Sequence, residues 1–376
     1  MAPVSHSILL TNSSSLYAGG EFYVLELSAA LRKRGHRVWV ACQPENLLAE
    51  KCAAAGVPTI PVRFPANGQL LKHVGMLRRI IREHRIMLVH TNTNYDRTAG
   101  AFAATLEGAG HVTNVHSFHS ISHNLTHMIR NRWATDHFLV DGACVKELLI
   151  REDRIAPSKI SVVHLGVDPG TMKRDLGMRR AVREEFGLAD EAVVIGNVGR
   201  LVPFKGQEVL LRAFAQVSRS HAHARLLLVG DGELRDPLLR LASELGIAAH
   251  VSFAGFRDDL TAVYSAFDIY THASIEGGGE TFPFAVLQAL SQELPVVATR
   301  VGDVAEMVND GVSGFIVPDK DPDALASSVN QLLADPARIA SMGARSRELL
   351  LKRFTSAQMV DVVEGVYAGL TQQQRS

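Results

Sequence analysis

Short apolar runs alternate along the chain with longer segments in which apolar residues recur at helical spacing. The runs of the first half, rich in β-branched and aliphatic residues, are residues 7–12, 36–42, 85–92, 110–117 and 137–142. The segment EFYVLELSAALRKRG lies between the first two runs, follows a predicted turn at Gly19-Gly20, and has the period of a helix. Strand, helix and strand in this order predict a βαβ unit, so this half should form a parallel sheet covered by helices.

The second half repeats the same alternation. Its apolar runs are residues 192–201, 224–232, 250–256, 268–274, 294–300 and 314–319. Helical segments such as GQEVLLRAFAQVSRS separate these runs, which predicts a second doubly wound α/β domain. We expect an N-terminal domain at residues 1–170, a C-terminal domain at 171–355, and a helix at 356–376 that packs back on the N-terminal domain.

Length and charge agree with this division. A chain of 376 residues exceeds the size at which one hydrophobic core keeps growing. Its net charge is zero, but Lys and Arg exceed Asp and Glu by 18 − 13 = 5 in residues 1–170, and fall short by 26 − 21 = 5 in 171–376. This imbalance is too small for general nucleic-acid binding.

The three cysteines, Cys42, Cys52 and Cys144, lack the spacing of a disulfide framework or zinc site, and we expect reduced thiols.

In paired α/β domains, ligands bind at the carboxyl ends of the strands, here in the cleft between the two domains. Two segments of the second half place polar residues there. In VGRLVPFKGQ, Arg200 and Lys205 precede a predicted helix, where the helix dipole and free N–H groups attract anions. An ordinary solvated basic loop is the alternative interpretation.

The second segment is IEGGGETFPFAVLQAL, residues 275–290. Its glycines predict a loop that approaches a ligand closely, and Pro283 suits the first turn of the following helix. We expect the backbone N–H groups of Thr281, Phe282, Phe284 and Ala285 to face that ligand. Glu280 would accept hydrogen bonds from sugar hydroxyls, and Gln288, more than two helical turns on, would contact another part of a long ligand.

These segments, with LLLVGDGELRDPL, VSFAGF and ETFPFAVLQALSQELPVVATRVGDVAEMVNDGVSGFIVP, resemble the C-terminal half of retaining glycosyltransferases of the GT4 group. The likeness continues into the first half through AGGEFYVLELSAALRKRGHRVWV. The resemblance implies a GT-B fold, with two Rossmann-like domains and an interdomain cleft. It also implies a retaining glycosyltransferase that uses a nucleotide-diphosphate-sugar, a UDP- or GDP-sugar, with no required cofactor or metal, and an acceptor that is a glycan, lipid or small molecule.

The resemblance also assigns roles to residues by position. It places the donor diphosphate on Arg200 and Lys205 and the donor-sugar hydroxyls on Glu280. The other residues that it brings to the donor are Gly19, Gly20, Phe256, Arg257, Thr281, Phe282, Phe284 and Gln288. Phe256 and Arg257 would lie along the nucleobase, and His116 would stabilise the positive charge that develops at the anomeric carbon.

Two positions depart from the family pattern. The family has a second glutamate, a ribose ligand, where this chain has Gln288. The family also spaces its first loop as Gly-Gly-x-Glu, whereas Gly19-Gly20 directly precede Glu21 here. An amide binds a ribose diol more weakly than a carboxylate does, so Gln288 puts donor affinity or nucleotide preference in question.

Three further histidines, His119, His123 and His127, are spaced to share one face of a helix. A zinc site is one interpretation, but no carboxylate completes an HExxH arrangement, and a polar face toward the acceptor is preferred. Trp39 and Trp133 are interpreted as packing residues, with a sugar-contacting role left open for Trp133.

The segment KHVGMLRRIIREHR, residues 72–85, alternates apolar and basic residues at helical spacing. It would serve either as a membrane-surface helix or as an ordinary helix covering the sheet, and the second interpretation is preferred. No run of residues is long and apolar enough to span a bilayer, and the N-terminus lacks a signal-peptide pattern. We therefore expect a cytoplasmic protein, with peripheral association at the inner face of the membrane as an open alternative.

The sequence alone leaves other functions open. A GT-B nucleotide-sugar epimerase would act on the donor alone, and a nucleotide-sugar-binding regulatory protein would bind it without turnover. A Rossmann dehydrogenase is disfavoured because TNSSSLYAGGEF lacks the GxGxxG turn.

Overall fold

The computed structural model describes residues 5–64 and 69–373, and the chain folds as two units. The first unit comprises Met1–Gly166 with Ser356–Ser376, and the second comprises Val167–Thr355. Each unit is built around one parallel sheet, so the predicted doubly wound α/β class is confirmed.

The described residues of the first unit contain a seven-stranded sheet in the order β3-β2-β1-β4-β5-β6-β7. Its strands are β1 Ser7–Asn12, β2 Arg37–Cys42, β3 Thr59–Pro61, β4 Leu88–Thr91, β5 Gly110–Val115, β6 His137–Val140 and β7 Ile160–Val162. The helices between them are α1 Gly19–Lys33, α2 Leu47–Ala54, α3 Leu70–His84, α4 Asn94–Glu107, α5 Leu125–Ile129 and α6 Ala143–Arg151. All strand pairs are parallel, with Leu9 beside both Trp39 and Val89 in the centre. The short strands β3 and β7 escape sequence analysis because three residues carry too little periodicity.

Helix α3 covers the sheet with its apolar side. Its buried residues are His73, Val74, Leu77, Ile80 and Ile81. On the flank of this face, the Nε atoms of Arg78 and Arg82 each donate to a carboxylate oxygen of Glu107 at 2.6 Å. The apolar face of residues 72–85 is therefore occupied by the protein's own core, in agreement with the preferred interpretation of this helix.

The described residues of the second unit contain a six-stranded parallel sheet in the order β10-β9-β8-β11-β12-β13. Its strands are β8 Val193–Val198, β9 Ala224–Val229, β10 Val251–Gly255, β11 Ile269–His272, β12 Val296–Thr299 and β13 Gly314–Val317. Its helices are α7 Leu176–Glu185, α8 Gln207–Ser220, α9 Arg235–Glu244, α10 Leu260–Ala266, α11 Phe284–Ser291, α12 Pro322–Leu333 and α13 Pro336–Arg353. Each apolar run of the second half forms a strand, shorter than its run because the predicted strand ends lie in the loops.

The last helix, α14 Ser356–Gln373, belongs to the first unit. Its acidic residues pair with the end of α1: Arg34 Nη1 donates to Asp361 and Glu364 at 2.6 Å each, and His36 Nε2 lies 2.7 Å from Glu364. Tyr367 on the same helix is fully buried. The polar segment after Gly166 is tied to the second unit, where Arg179 and Arg183 donate to Asp268 at 2.7 and 2.6 Å.

Among the described residues, no helix combines the length and hydrophobicity needed to cross a membrane.

Candidate functional site

Lys205 and Glu280 are 75 positions apart in sequence and form an ion pair in the second unit. Lys205 lies in the loop between β8 and α8, and Glu280 lies in the loop between β11 and α11. The two loops meet because Gly206, with φ of +66°, passes against the end of β11, where a Cβ atom would lie only 1.9 Å from the carbonyl oxygen of Ala273. Only glycine fits such an approach. The structure therefore brings together two residues that the sequence places on separate loops.

One carboxylate oxygen of Glu280 receives all the contacts that hold this side chain. Its Oε2 accepts hydrogen bonds from Lys205 Nζ and, at 2.8 Å, from Ser274 Oγ, and it lies 3.3 Å from His272 Nε2. Within the described ranges of the chain, the second oxygen, Oε1, accepts no hydrogen bond. Since a carboxylate has about four acceptor positions, Oε1 is able to bind ligand hydroxyls without breaking the internal contacts.

The electrostatics of the pair favour a charged carboxylate. Burial by itself raises the pKa of Glu280, but the positive charge of Lys205 and the hydrogen bond from His272 outweigh it. The pKa of Glu280 consequently lies well below its ordinary range. The carboxylate is ionised at neutral pH although its side chain is only 10% exposed.

Arg200 and Lys205 share a single aromatic neighbour. The guanidinium carbon of Arg200 lies 5.7 Å from the ring centroid of Phe204, and Lys205 Nζ lies 5.5 Å from it. Gly278 packs on the same ring, because a Cβ atom there would lie 2.1 Å from Phe204 Cβ. The middle glycine of GGG thus makes room for Phe204 within the protein.

Arg200 differs from Lys205 in its charge partners. The side chain of Arg200 is exposed, and it forms no ion pair with any residue of the described parts of the chain. Its carbonyl oxygen accepts a hydrogen bond from Gln207 Nε2 at 2.9 Å, which fixes the backbone of the loop. The loop therefore presents one neutralised and one unneutralised cation next to the first turn of α8.

The segment from Glu280 into α11 differs in one respect from the prediction. Pro283 is the N-cap of α11, with φ of −72° and ψ of 122°, and the helix begins at Phe284, so the placement of Pro283 in the first turn was wrong by one residue. An extended ψ at Pro283 ends the loop before the helix begins. The side chains of Phe282 and Phe284 are 2% and 6% exposed, so these residues offer a ligand only their backbone.

Thr281 is 4% exposed, and its carbonyl oxygen accepts a hydrogen bond from the Asp303 N–H at 2.9 Å. Ile275 N–H donates to Phe204 O at 2.8 Å, and Glu276 N–H donates to Asp319 at 3.0 Å. Gln288 is the fifth of the eight residues of α11, in its second turn, and is 3% exposed.

The two residues predicted to contact a nucleobase follow β10, at the edge of the sheet. The Phe256 side chain is 58% exposed. Arg257 donates to Asp259 at 2.8 and 2.7 Å and to Glu185 at 2.6 Å, so two carboxylates already hold its guanidinium. Phe256 offers an exposed ring face, whereas Arg257 would have to exchange partners to bind a ligand.

All of these residues lie at the carboxyl edge of one sheet. Phe256 follows β10, Lys205 follows β8 and Glu280 follows β11, and the strand order β10-β9-β8-β11 sets their spacing. Three strand spacings of about 4.8 Å separate the outer strands, about 14 Å in total. The arrangement suits an elongated ligand with an aromatic group at one end, anionic groups in the middle and hydroxyls at the other.

In the first unit, Gly19 and Gly20 are the first two residues of α1 and not a turn before it, which corrects the sequence prediction. The reason is Glu21, whose carboxylate accepts from the Ala18 N–H at 2.9 Å and from Asn12 Nδ2 at 3.0 Å, so that it caps the start of the helix. A Cβ atom on Gly20 would lie 4.0 Å from the His116 ring. Gly20 therefore lies beside the predicted histidine.

His116 follows β5, and its Nδ1 lies 2.9 and 3.0 Å from the two carboxylate oxygens of Asp141, which follows the neighbouring strand β6. Asp141 is 2% exposed. The ring of Tyr23 packs edge-on against His116, with 4.9 Å between centroids. His116 is thus held by a buried carboxylate and a buried aromatic ring.

The prediction that His119, His123 and His127 share one face of a helix was wrong. Helix α5 begins at Leu125 with Asn124 as its N-cap, since the Asn124 side chain accepts from the His127 N–H at 2.9 Å. His119 and His123 precede the helix. In the residues for which the structure gives positions, no group of three or more His, Cys, Asp or Glu side chains is arranged to hold a metal ion.

Trp133 is 70% exposed, so it is not a packing residue.

Sequence analysis missed His272, Ser274 and Asp141. His272 ends β11 and Ser274 lies two residues beyond it, while Asp141 directly follows β6, as His116 follows β5. A polar residue at the carboxyl end of the runs DIYTHAS and HFLVDG is the sequence signal that identifies them.

Two family models match the chain. The model described as "Glycosyltransferase Family 4" matches residues 17–171, and "Glycosyl transferases group 1" matches residues 178–349.

Several curated proteins are similar to the chain. It is 36% identical over 210 residues, 53% of this chain and 55% of the relative, to the GDP-mannose-dependent alpha-(1-6)-phosphatidylinositol monomannoside mannosyltransferase of Mycolicibacterium smegmatis. It is 36% identical over 206 residues, 54% of this chain and 46% of the relative, to the D-inositol 3-phosphate glycosyltransferase of Mycolicibacterium gilvum. The matched part thus spans about half the length of these relatives.

Solved structures match the fold over nearly the whole chain. A glycosyltransferase from Rickettsia africae superposes with a TM-score of 0.88 at 19% identity, covering 98% of this chain and 99% of the other. Anabaena HepE in complex with UDP and glucose superposes with a TM-score of 0.83 at 22% identity, covering 96% and 99%. The two family models, which together extend over most of both units, show that the chain belongs to the GT4-type glycosyltransferases, and the solved structures show the GT-B fold.

Proposed function

We propose that this protein is a retaining glycosyltransferase that transfers a sugar from a nucleotide-diphosphate-sugar, a UDP- or GDP-sugar, to an acceptor. The observation that carries the proposal is the Lys205–Glu280 pair beside the exposed Arg200, at the carboxyl edge of the second sheet. The pair supplies an ionised carboxylate with one uncommitted oxygen, and the loop between β8 and α8 supplies the exposed guanidinium of Arg200. Sugar hydroxyls and a diphosphate are the ligand groups that these two features bind best.

In this proposal each residue has one task. Arg200 and Lys205, with the first turns of α8 and α11, stabilise the departing diphosphate, and Glu280 Oε1 accepts hydrogen bonds from donor-sugar hydroxyls. Phe256 stacks on the nucleobase. His116 stabilises the positive charge at the anomeric carbon, the role that the resemblance implies for it. An oxygen of the departing diphosphate takes the acceptor proton on the same face of the sugar, so that the anomeric configuration is retained.

Thermal unfolding in the presence of UDP, GDP, ADP, CMP and their sugars tests donor binding. A ligand at a hundred times its Kd raises the free energy of unfolding by about 2.7 kcal/mol, so one nucleoside diphosphate should raise the Tm clearly above the others. Arg200→Ala should abolish that shift, whereas Arg212→Ala, which removes the same charge from an exposed Glu208 pair on α8, should preserve it. Equal shifts in both variants would contradict the assignment of Arg200.

Transfer itself is tested with the donor so identified. D-inositol 3-phosphate and mannosylated phosphatidylinositol belong in the acceptor panel, because those groups appear in the names of the relatives. Donor incubated alone separates the alternatives: an epimerase would change the sugar, and a transferase would at most hydrolyse it. Binding with neither transfer nor hydrolysis across a broad panel would favour a regulatory nucleotide-sugar-binding protein.

Gln288→Glu tests the proposed contact between α11 and the ribose. The new carboxylate should bind the nucleoside diphosphate more tightly, because a charged acceptor forms stronger hydrogen bonds with a diol than an amide does. Isothermal titration with the ribonucleotide and its 2′-deoxy form measures this, and the gain should be smaller for the deoxy form. Since Gln288 is only 3% exposed, the Tm of the unliganded variant is recorded alongside. Unchanged or weaker ribonucleotide binding in a folded variant would refute the ribose role.

A further inference from the structure

A chain of hydrogen bonds runs through the first unit from α14 to His116. Tyr367 Oη lies 2.6 Å from His90 Nδ1, and His90 Nε2 lies 2.8 Å from Asn114 Oδ1. Asn114 Nδ2 lies 3.4 Å from His116 Nε2, and His116 Nδ1 contacts both oxygens of Asp141. Every member of this hydrogen-bonded series except His116 has an almost completely buried side chain.

Asp141, the last member of the series, determines which atom donates in each of these hydrogen bonds. An ionised carboxylate only accepts hydrogen bonds, so Asp141 requires a proton on His116 Nδ1. A neutral His116 ring then has its lone pair on Nε2, which accepts from Asn114 Nδ2. The amide of Asn114 is thereby oriented with Oδ1 toward His90 Nε2, which must carry the proton, and His90 Nδ1 accepts from the Tyr367 hydroxyl.

Two further observations agree with this direction. The Tyr23 hydroxyl also donates to Asn114 Oδ1, at 3.3 Å, which agrees with the oxygen of the amide on that side. His90 is fully buried, and burial lowers its pKa to about 4, so this ring is neutral at pH 7 and retains the Nδ1 lone pair that the chain requires.

We propose that Asp141, Asn114, His90 and Tyr367 are positioning residues that hold His116 in one tautomer, with its proton on Nδ1 and its lone pair on Nε2. The fixed tautomer, backed by the negative charge of Asp141, sets the electrostatic field of the ring in advance, so that positive charge developing beside it is stabilised without reorganisation at the moment of reaction. The catalytic consequence rests on the proposed function. The tautomer does not, because it is a property of the unliganded protein.

The structure therefore predicts opposite tautomers for two histidines: Nδ1–H for His116 and Nε2–H for His90. Long-range proton–nitrogen correlation NMR on protein labelled with 15N-histidine distinguishes them, since protonated and unprotonated ring nitrogens resonate in separate ranges. The chain contains 16 histidines, so His116→Gln and His90→Gln identify the two signals by their loss. Finding His116 protonated only on Nε2, or both rings in the same tautomer, would overturn the proposal.

Asp141→Asn replaces a carboxylate, which only accepts hydrogen bonds, with an amide that both donates and accepts. His116 should therefore change from one tautomer to a mixture of two. Asp136→Asn is the matched control, because Asp136 precedes the same strand β6, is exposed, and accepts from the His111 N–H at 2.8 Å. Tyr367→Phe tests the other end of the chain and does not depend on the folding of the first variant. It removes the donor to His90 Nδ1 and should shift the ring-nitrogen signals of His90 and, through Asn114, of His116. A His116 spectrum unchanged in both variants would overturn the proposal.

Kinetics supply a separate readout once an acceptor is known. Asp141→Asn should lower kcat by about 10- to 100-fold, the effect typical of carboxylates that orient functional histidines, with little change in the donor KM. A large rise in donor KM at constant kcat would show that Asp141 shapes the binding site instead. If the NMR result holds and no transfer is found in the wild-type protein, the proposed function fails while the tautomer assignment stands.

Discussion

Replacement of Glu280 by glutamine is expected to lower kcat/KM for sugar transfer about a hundredfold. The amide keeps the size of the side chain but loses the charge on Oε1, the oxygen proposed to accept from donor-sugar hydroxyls. Hydrogen bonds to a charged group contribute about 1.5–3 kcal/mol each, so weakening two of them costs about 3 kcal/mol of transition-state stabilisation. That energy corresponds to about two powers of ten in rate.

The measurement is steady-state kinetics with varied donor, beside circular dichroism to show that the variant folds. Glu276→Gln serves as the control, since it neutralises an exposed carboxylate four residues earlier in the same loop. It should retain close to wild-type kcat/KM. Wild-type activity in Glu280→Gln, or an equal loss in both variants, would remove Glu280 from the proposed site.

Replacement of Lys205 by methionine is expected to destabilise the protein by about 3–5 kcal/mol at pH 7, in addition to abolishing transfer. Methionine fills the volume of the lysine stem, but Glu280 is left buried with its main countercharge gone, and an unpaired buried charge costs about this much.

The pH dependence of this loss has a definite sign. In the wild-type protein the pKa of Glu280 is below the ordinary 4.5, so the pair stabilises the fold above pH 4.5 and loses that contribution as the pH falls further. Without Lys205, burial is opposed only by His272, so the pKa of Glu280 is higher than in the wild-type protein. The variant therefore gains stability relative to wild type as the pH falls from 7 through that raised pKa, because protonation removes the unpaired charge.

Urea denaturation of the two proteins between pH 7 and pH 4 measures the difference in free energy of unfolding, which should shrink steadily. The double variant Lys205→Met, Glu280→Gln removes both charges, so it should recover part of the stability at pH 7 and show no such trend. A difference that stays constant with pH would mean that Glu280 is not the group responsible.

The sequence by itself predicted most of the strands and which loops hold polar residues. The runs around Ile195 and Ile269 are apolar over a strand's length and end in Gly, Ser or His, and this local pattern is sufficient because a buried parallel strand needs an apolar side chain at almost every position. Helix starts were less predictable. Glu21 and Asn124 are local capping residues that fix where two helices begin. Because of these caps, α1 includes the glycines, and α5 begins after His119 and His123.

Contacts between loops depended on strand order, which the sequence pattern does not contain. β8 pairs with β11 although β9 and β10 come between them in sequence, and this pairing alone places Lys205 beside Glu280. In the same way, adjacent β5 and β6 bring His116 to Asp141. Periodicity along one segment reports which face is buried, whereas the neighbour across the sheet is chosen by the packing of the whole unit. The sequence therefore determined the elements and the candidate residues, and only the tertiary structure determined which charges meet.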